Sequence, residues 1–274
     1  MFITDLDGTL LDDRKNIPEA NLMALKKLLE HQILITVFTG RNYHSAKPFI
    51  DALDIDIPVV FQNGAFIMNP RSQEVLYQSL LPALEAQSIT ETALASGFDV
   101  IAYTGFRDLP DMVVQRTDWH GSPFEAYVRH NSERIQTVPS LPAALRSLTD
   151  FSQLAVIGPE GELRRLEDCI RNLYPESVSP ILSSVLNGTG FLEFFGPHVS
   201  KGIALERVLE RFQIEAGQTV FIGDNYNDLE LMEKVGFPVA VGNSPEPIKK
   251  RCRLVVAGNN ESGVADAVHR IFFQ

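Results

Sequence analysis

Apolar residues fall in short, regularly interrupted blocks along the first third of the chain. The opening run Phe2-Ile3-Thr4-Asp5-Leu6-Asp7-Gly8-Thr9-Leu10-Leu11 reads as a strand that meets Asp-x-Asp and breaks at a glycine. Only four residues precede Asp5, so this strand is expected to be unusually short. Pro18 suits a helix start, and Leu22, Leu25, Leu28 and Leu29 then recur at helical spacing. Residues 33–38 form a nearly continuous apolar run rich in β-branched side chains, the pattern of a buried strand, and it ends at Thr39-Gly40-Arg41. A third strand is predicted over residues 57–61, ending at Asn63-Gly64. Strand, helix and strand, each strand closing on polar or glycine residues, describe a parallel sheet whose ligands bind at its carboxyl edge.

The last third repeats this rhythm. Lys201-Gly202 precedes a helix whose Leu205, Val208, Leu209 and Phe212 share one face. A strand over residues 219–222 terminates in Gly223-Asp224-Asn225-Tyr226-Asn227-Asp228, and short strands at 238–241 and 253–256 would widen the sheet. Between these thirds the pattern changes. Segments 98–103 and 112–115 lie close together, as in an antiparallel pair, and a strand at 151–157 leads into a helix through Leu163, Leu166 and Ile170. The fold class expected is therefore α/β: a doubly wound parallel, Rossmann-like core with an inserted α+β cap domain. Its parts are core over residues 1–81, cap over 82–190 and core again over 191–274, with linkers at Leu81-Pro82 and Gly196-Pro197.

Composition narrows the function classes. A chain of 274 residues with 45% hydrophobic content accommodates such a core and insert. Its net charge of −11 argues against nucleic acid as a partner, because binders of the phosphate backbone cluster Lys and Arg. Cys169 and Cys252, the two cysteines, show neither metal-ligand spacing nor a disulfide framework. No signal peptide and no apolar run of membrane-spanning length is visible, so a cytoplasmic protein without membrane contact is expected.

Four polar clusters are left at predicted strand ends or an adjacent helix start: Asp5 with Asp7, Thr39-Gly40-Arg41, Lys201, and Asp224 to Asp228. Residues two apart on a strand share a face, so Asp5 and Asp7 can converge, while Gly8 permits a sharp turn that Thr9 can brace through the local main chain. Carboxylates gathered there suit Mg²⁺, a hard cation. A lysine and a threonine-glycine turn can hold the oxygens of a phosphoryl group. Taken singly, each cluster also reads as an ordinary solvated turn or surface charge; their order and placement together point to chemistry. Arg41, Asn63 and Gly64 sit where a substrate could be touched, or else only cap turns. Arg107, Asp108, Arg116, Trp119, His120, Arg129 and His130 are the insert's polar and aromatic candidates, most of them readable as plain surface. Phe191, Phe194 and Phe195 are expected to fill the junction between the domains.

These clusters resemble the four motifs of the haloacid dehalogenase superfamily of phosphotransferases, in its Cof-type branch with a mixed α+β cap, over essentially the whole chain. The resemblance implies Asp5 as nucleophile and Asp7 as general acid and base, with the main-chain carbonyl of Asp7 touching the metal. It implies Thr39 and Lys201 as phosphate ligands, supported by backbone groups of Leu6 and Gly40 and by the amide of Asn227. Asp224 would be a magnesium ligand, and Asp228 would act through a water or by orienting Lys201. Ion-pumping relatives carry lysine where this chain has Asp7, which favours a hydrolase here. The implied function is a Mg-dependent phosphatase of a small phosphorylated metabolite, sugar phosphates foremost, with an aspartyl-phosphate intermediate and the insert as a lid. Phosphomutase-type transfer and a non-hydrolytic, phospho-accepting module stand as alternatives.

Overall fold

A computed structural model of the chain describes residues 1–116, 118–121, 125–186 and 188–273. The chain divides into two compact units, residues 1–78 with 200–274, and residues 79–199. In chain order the first unit begins with β1 (Phe2–Thr4), α1 (Glu19–Glu30), β2 (Ile35–Val37), α2 (Tyr43–Leu53), β3 (Val59–Phe61), β4 (Phe66–Met68) and β5 (Val75–Gln78). The second unit holds α3 (Ala83–Ala95), β6 (Val100–Thr104), β7 (Met112–Val114), α4 (Glu125–His130), β8 (Ile135–Thr137) and α5 (Leu141–Leu145), then β9 (Phe151–Pro159), α6 (Glu160–Leu173), β10 (Ser179–Leu186) and β11 (Thr189–Phe195). The chain returns to the first unit with α7 (Lys201–Phe212), β12 (Val220–Gly223), α8 (Leu229–Lys234), β13 (Phe237–Ala240), α9 (Glu246–Lys249), β14 (Leu254–Val255) and α10 (Gly263–Phe272).

Five strands of the first unit pair in the order β14-β13-β12-β1-β2, every pair parallel. Although β1 has only three residues, it is paired on both sides, Thr4 lying opposite Ile222 and Val37. Alternation along β1 sends Phe2 and Ile3 to opposite faces. Ile3 joins a cluster with Leu205 and Val208 of α7 and Leu231 of α8, while the Phe2 ring meets Phe272 of α10. Helices thus cover both faces, as doubly wound sheets require.

The third predicted strand behaves differently. β3 touches β2's extension through one parallel bridge, Phe38 to Val60, and then belongs to an antiparallel sheet β3-β4-β5. Gln62, Asn63 and Gly64 reverse the chain there with φ of 47°, 55° and 109°. The sequence reading missed this hairpin.

The second unit is a six-stranded sheet in the order β10-β11-β9-β6-β7-β8, antiparallel except for β7 with β8. Val100 and Ala102 of β6 face a core built with α3, α5 and α6; Ile101 and Tyr103 face a second cluster containing Met112, Val114 and Trp119. The unit closes at Val199 rather than at residue 190, because β11 sits between β10 and β9. Phe194 fills the helix-side core and Phe191 the opposite cluster, which corrects their expected place at a junction. The two crossing segments lie together at the base of this unit, where Ser79 Oγ donates to the Pro197 carbonyl at 2.8 Å.

Candidate active site

β1 hands its last ladder bond to Asp5, whose N–H donates to the Ile222 carbonyl at 3.0 Å. The chain then makes a wide turn closed by Leu11 N–H on the Leu6 carbonyl at 2.9 Å. Gly8 takes φ 71° in this turn, and a Cβ there would lie 2.5 Å from Asp224 Oδ2. Only glycine combines that conformation with so close an approach. Because the strand stops at Thr4, alternation does not govern the next residues, and the side chains of Asp5 and Asp7 find different partners. Asp7 is gripped by Arg41, Nε to Oδ2 at 2.5 Å and Nη2 to Oδ1 at 2.7 Å, and by Lys15 Nζ on Oδ1 at 2.7 Å. Lys15 was not among the sequence candidates; its turn has no motif to mark it.

Asp5 is nearly buried and receives Lys201 Nζ on Oδ1 at 2.8 Å. The same ammonium donates to Asp228 Oδ1 at 2.6 Å. Lys201 is the first residue of α7, and Ser200 caps that helix by accepting from Ile203 N–H at 3.0 Å. Asp228 is fully buried, and its Oδ2 accepts the N–H groups of Asp224 at 3.0 Å and Asn225 at 3.1 Å. Both Asp228 oxygens are therefore engaged, and of its two expected roles the one drawn by these contacts is holding Lys201. Thr9 does not brace its own turn: its hydroxyl donates to Asp224 Oδ1 at 3.1 Å.

Electrostatics follow from this crowding. Burial raises the Asp5 carboxyl to about 7, with Lys201 opposing the rise and Asp228 and Asp7 adding to it. Burial likewise lifts Asp224 well above the usual carboxylate range, helped by the charges of Asp5 and Asp228. For Lys201, burial alone would favour the neutral amine, but Asp228 and Asp5 outweigh it and hold the ammonium. Asp7 goes the other way. Burial would raise it, yet Arg41 and then Lys15 bring it down to about 2.

Thr39 and Gly40 leave β2's extension at the same edge. Thr39 N–H donates to Val60 at 2.9 Å, its hydroxyl accepts from Arg41 N–H at 3.0 Å, and its carbonyl accepts from Asn63 N–H at 3.0 Å. The Asn227 amide, expected on phosphate, donates one N–H to Asn63 Oδ1 at 2.9 Å. Asn63 and Gly64 are both buried, and a Cβ on Gly64 would lie 2.5 Å from the Ser200 carbonyl oxygen. Contacts of this kind make them supports that join Thr39, Asn227 and the start of α7, not a substrate face. Arg41 is likewise committed to Asp7 and to the Ser45 carbonyl at 2.9 Å.

Sequence reasoning also missed the polar lacing under the Asp5 turn. Asn243 Nδ2 donates to the Gly8 carbonyl at 2.8 Å, Asn259 Nδ2 to Leu11 at 3.0 Å, and Asn21 Nδ2 to Leu10 at 3.1 Å. Lone asparagines distant in sequence carry no signal of such a role. Within the second unit, Trp119 is buried in a core cluster, Arg116 pairs with Asp99 at 2.7 Å, and Arg129 pairs with Glu125 at 2.7 Å. Arg107, Asp108, His120 and His130 lie on its surface.

One carboxylate oxygen each from Asp5, Asp224 and Asp228 lies within 4.8 Å of the others. Three acids against Lys201 leave excess negative charge, all donors are hard oxygens, and two of the acids, Asp5 and Asp224, are pushed upward by burial and by neighbouring carboxylates. Such a set fits a hard divalent cation. Over residues 2–268 the chain matches the haloacid dehalogenase-like hydrolases and belongs to that family. Bacillus subtilis phosphatase YwpJ is 26% identical over 281 residues, covering 97% of each chain. Escherichia coli pyridoxal phosphate phosphatase YbhA is 23% identical over 275 residues, covering 97% of this chain and 96% of that one. A haloacid dehalogenase-like hydrolase from Bacteroides thetaiotaomicron superposes with a TM-score of 0.82 at 26% identity, covering 99% of this chain and 98% of the other. The chain is a phosphoric monoester hydrolase of this type, with the parallel core and inserted unit that its sequence pattern predicts.

Proposed function

We propose that the enzyme is a Mg²⁺-dependent phosphatase of a small phosphorylated metabolite, sugar phosphates being the first class to test, and that it works through a phosphoryl group carried on Asp5. The observation that carries this reading is Lys201 Nζ shared between Asp5 and Asp228 at the sheet's carboxyl edge, beside Asp224. Asp5 attacks phosphorus as the bond to the leaving oxygen breaks, and Asp7, an ionised carboxylate in the free enzyme because Arg41 and Lys15 hold it at about 2, has to take up a proton before it can give one to that oxygen. Water then attacks the aspartyl phosphate, gives its proton to Asp7, and releases inorganic phosphate with the Asp5 carboxylate restored. Lys201 and Thr39, with the main chain of Leu6 and Gly40, hold the phosphoryl oxygens. Asp5, Asp224 and the Asp7 main-chain carbonyl would hold magnesium, backed by Asp228 through Lys201; the bound ion offsets repulsion between carboxylate and phosphate dianion. Hydrolysis of phosphate monoesters is so slow unaided that barrier lowering on the order of 20 kcal/mol is needed, which a single acid could not supply.

A cytoplasmic setting belongs to the same reading, supported by two free cysteines. No helix among the described residues is long and apolar enough to cross a membrane. The test is phosphate release from a panel of phosphorylated metabolites. Asp5→Asn and chelation of the metal should each abolish it. Turnover that survives Asp5→Asn defeats the mechanism, and an isomerised sugar phosphate in place of free phosphate would make the enzyme a mutase.

A further inference from the structure

We infer that Lys15 recognises a carboxylate on the leaving group, so that the preferred substrates are phosphate esters of short hydroxy acids. The inference narrows the substrate class of the phosphatase reading above and rests on that reading. Lys15 stands in a closed turn. Its N–H donates to the Asp12 carbonyl at 2.9 Å, Asn16 N–H donates to Asp12 Oδ1 at 2.8 Å, and Asp12 N–H donates to the Asn16 carbonyl at 2.9 Å. From the far end of the chain Asn260 grips Asp13, accepting its N–H at 3.0 Å and donating to its Oδ2 at 2.9 Å. Asn259 adds a bond to Asp13 Oδ1 at 3.1 Å. These ties hold Lys15 at φ 61°, a conformation uncommon for a residue with a side chain, and the turn carries its ammonium to Asp7 Oδ1 at 2.7 Å.

Surplus charge is the decisive feature. Arg41 already matches the charge of Asp7 and bonds both of its oxygens. Lys15 therefore leaves this trio one positive charge in excess, in a chain whose net charge is −11. Arg14, its neighbour on the turn, is exposed and makes no ion pair among the described residues. The Lys15 side chain is 55% exposed against 18% for Arg41, and it spends one of its three N–H groups on Asp7. Two donors remain for an anion arriving from solvent, and no bond to Asp7 has to break. Reach selects the anion. With the leaving-group oxygen at the Asp7 carboxylate, two hydrogen bonds end to end put that oxygen within about 5–7 Å of Lys15 Nζ. A carboxylate one or two carbons beyond the ester carbon closes that gap with its own bond to the ammonium.

The experiment compares two esters of one three-carbon skeleton, 3-phosphoglycerate and glycerol 3-phosphate, which differ by a carboxylate against a hydroxymethyl group. With magnesium present, kcat/KM of the wild-type enzyme should be about tenfold higher for the acid, as one hydrogen bond to a charged group provides, and a lower KM should carry most of the difference. Lys15→Gln should erase that preference, and Lys15→Arg should keep most of it. Glutamine suits the turn, since Gln32, Gln62, Gln73 and Gln213 all hold φ between 47° and 59° in this chain. Lost support of Asp7 in Lys15→Gln falls on both esters alike, so their ratio reads recognition of the carboxylate. A wild-type ratio near one overturns the proposal, and so does a ratio that Lys15→Gln leaves unchanged. Hydrolysis of p-nitrophenyl phosphate without turnover of 3-phosphoglycerate overturns it too, while leaving the phosphatase reading in place. An enzyme that hydrolyses no ester, p-nitrophenyl phosphate included, defeats the phosphatase reading itself.

Discussion

Asp224 lies against Asp5 and Asp228, and its carboxyl is forced upward by burial and by both neighbours. Removing its charge relieves repulsion that the ion-free protein must bear. Asp224→Asn is therefore expected to raise the melting temperature of the metal-free enzyme by a few degrees, about 2–4 °C per kcal/mol for a chain near this size. The same variant should lose phosphate release, a trade of activity against stability that is common where like charges are gathered for chemistry. Asp228→Asn should do the opposite to stability. Asp228 is fully buried, and its Oδ1 holds Lys201 while its Oδ2 takes two backbone N–H groups. Breaking a buried pair of this kind costs about 3 kcal/mol, to be read from urea unfolding of the two proteins.

At the scale of elements, the start of α7 ties the hairpin to the site. Ser200 caps the helix whose first residue is Lys201, and its carbonyl lies against Gly64. Ser200→Ala should cost about 1 kcal/mol through the lost cap. Gly64→Ala should cost about 1–3 kcal/mol, because φ there is 109° and the added carbon meets that carbonyl; thermal melting checks both. Much at this scale was legible in the sequence. β1, β2, β12 and α7 follow from apolar runs and helical spacing, since burial on both sheet faces demands them. The turn after β3 was not legible: Asn63-Gly64 marks a turn but not its direction, and the reversal into β4 depends on Asn63 reaching Thr39 and Asn227. Asn63 and Gly64 consequently read as substrate contacts when they are struts.

For the whole molecule, the acidic cluster joins opposite ends of the chain, Asp5 with Asp224 and Asp228, so a cation held there binds the folded state alone. Magnesium should raise the melting temperature, by about 2.7 kcal/mol of added stability at a concentration of 100 Kd, and should not do so in Asp224→Asn. The effect should grow with pH. Asp5 titrates at about 7 in the fold against an ordinary 3.8, so the stability tied to its protonated form is present below that ordinary value and disappears as pH rises through about 7. Melting curves with and without chelator should thus separate between pH 5 and 8. Curves that stay together across that range would remove the cation from this cluster.

Order and local chemistry were settled by the chain alone. Asp5 and Asp7 close a short apolar strand, Lys201 opens an amphipathic helix, and Asp224 to Asp228 end another strand, because periodicity and turn residues act over a few neighbours. Tertiary structure decided which charges meet. Lys201 joins Asp5 to Asp228, Thr9 turns to Asp224, and Asp7 pairs with Arg41 and Lys15. Those pairings depend on where distant segments cross, and on the strong drive of buried charges to find partners, neither of which is written in local spacing.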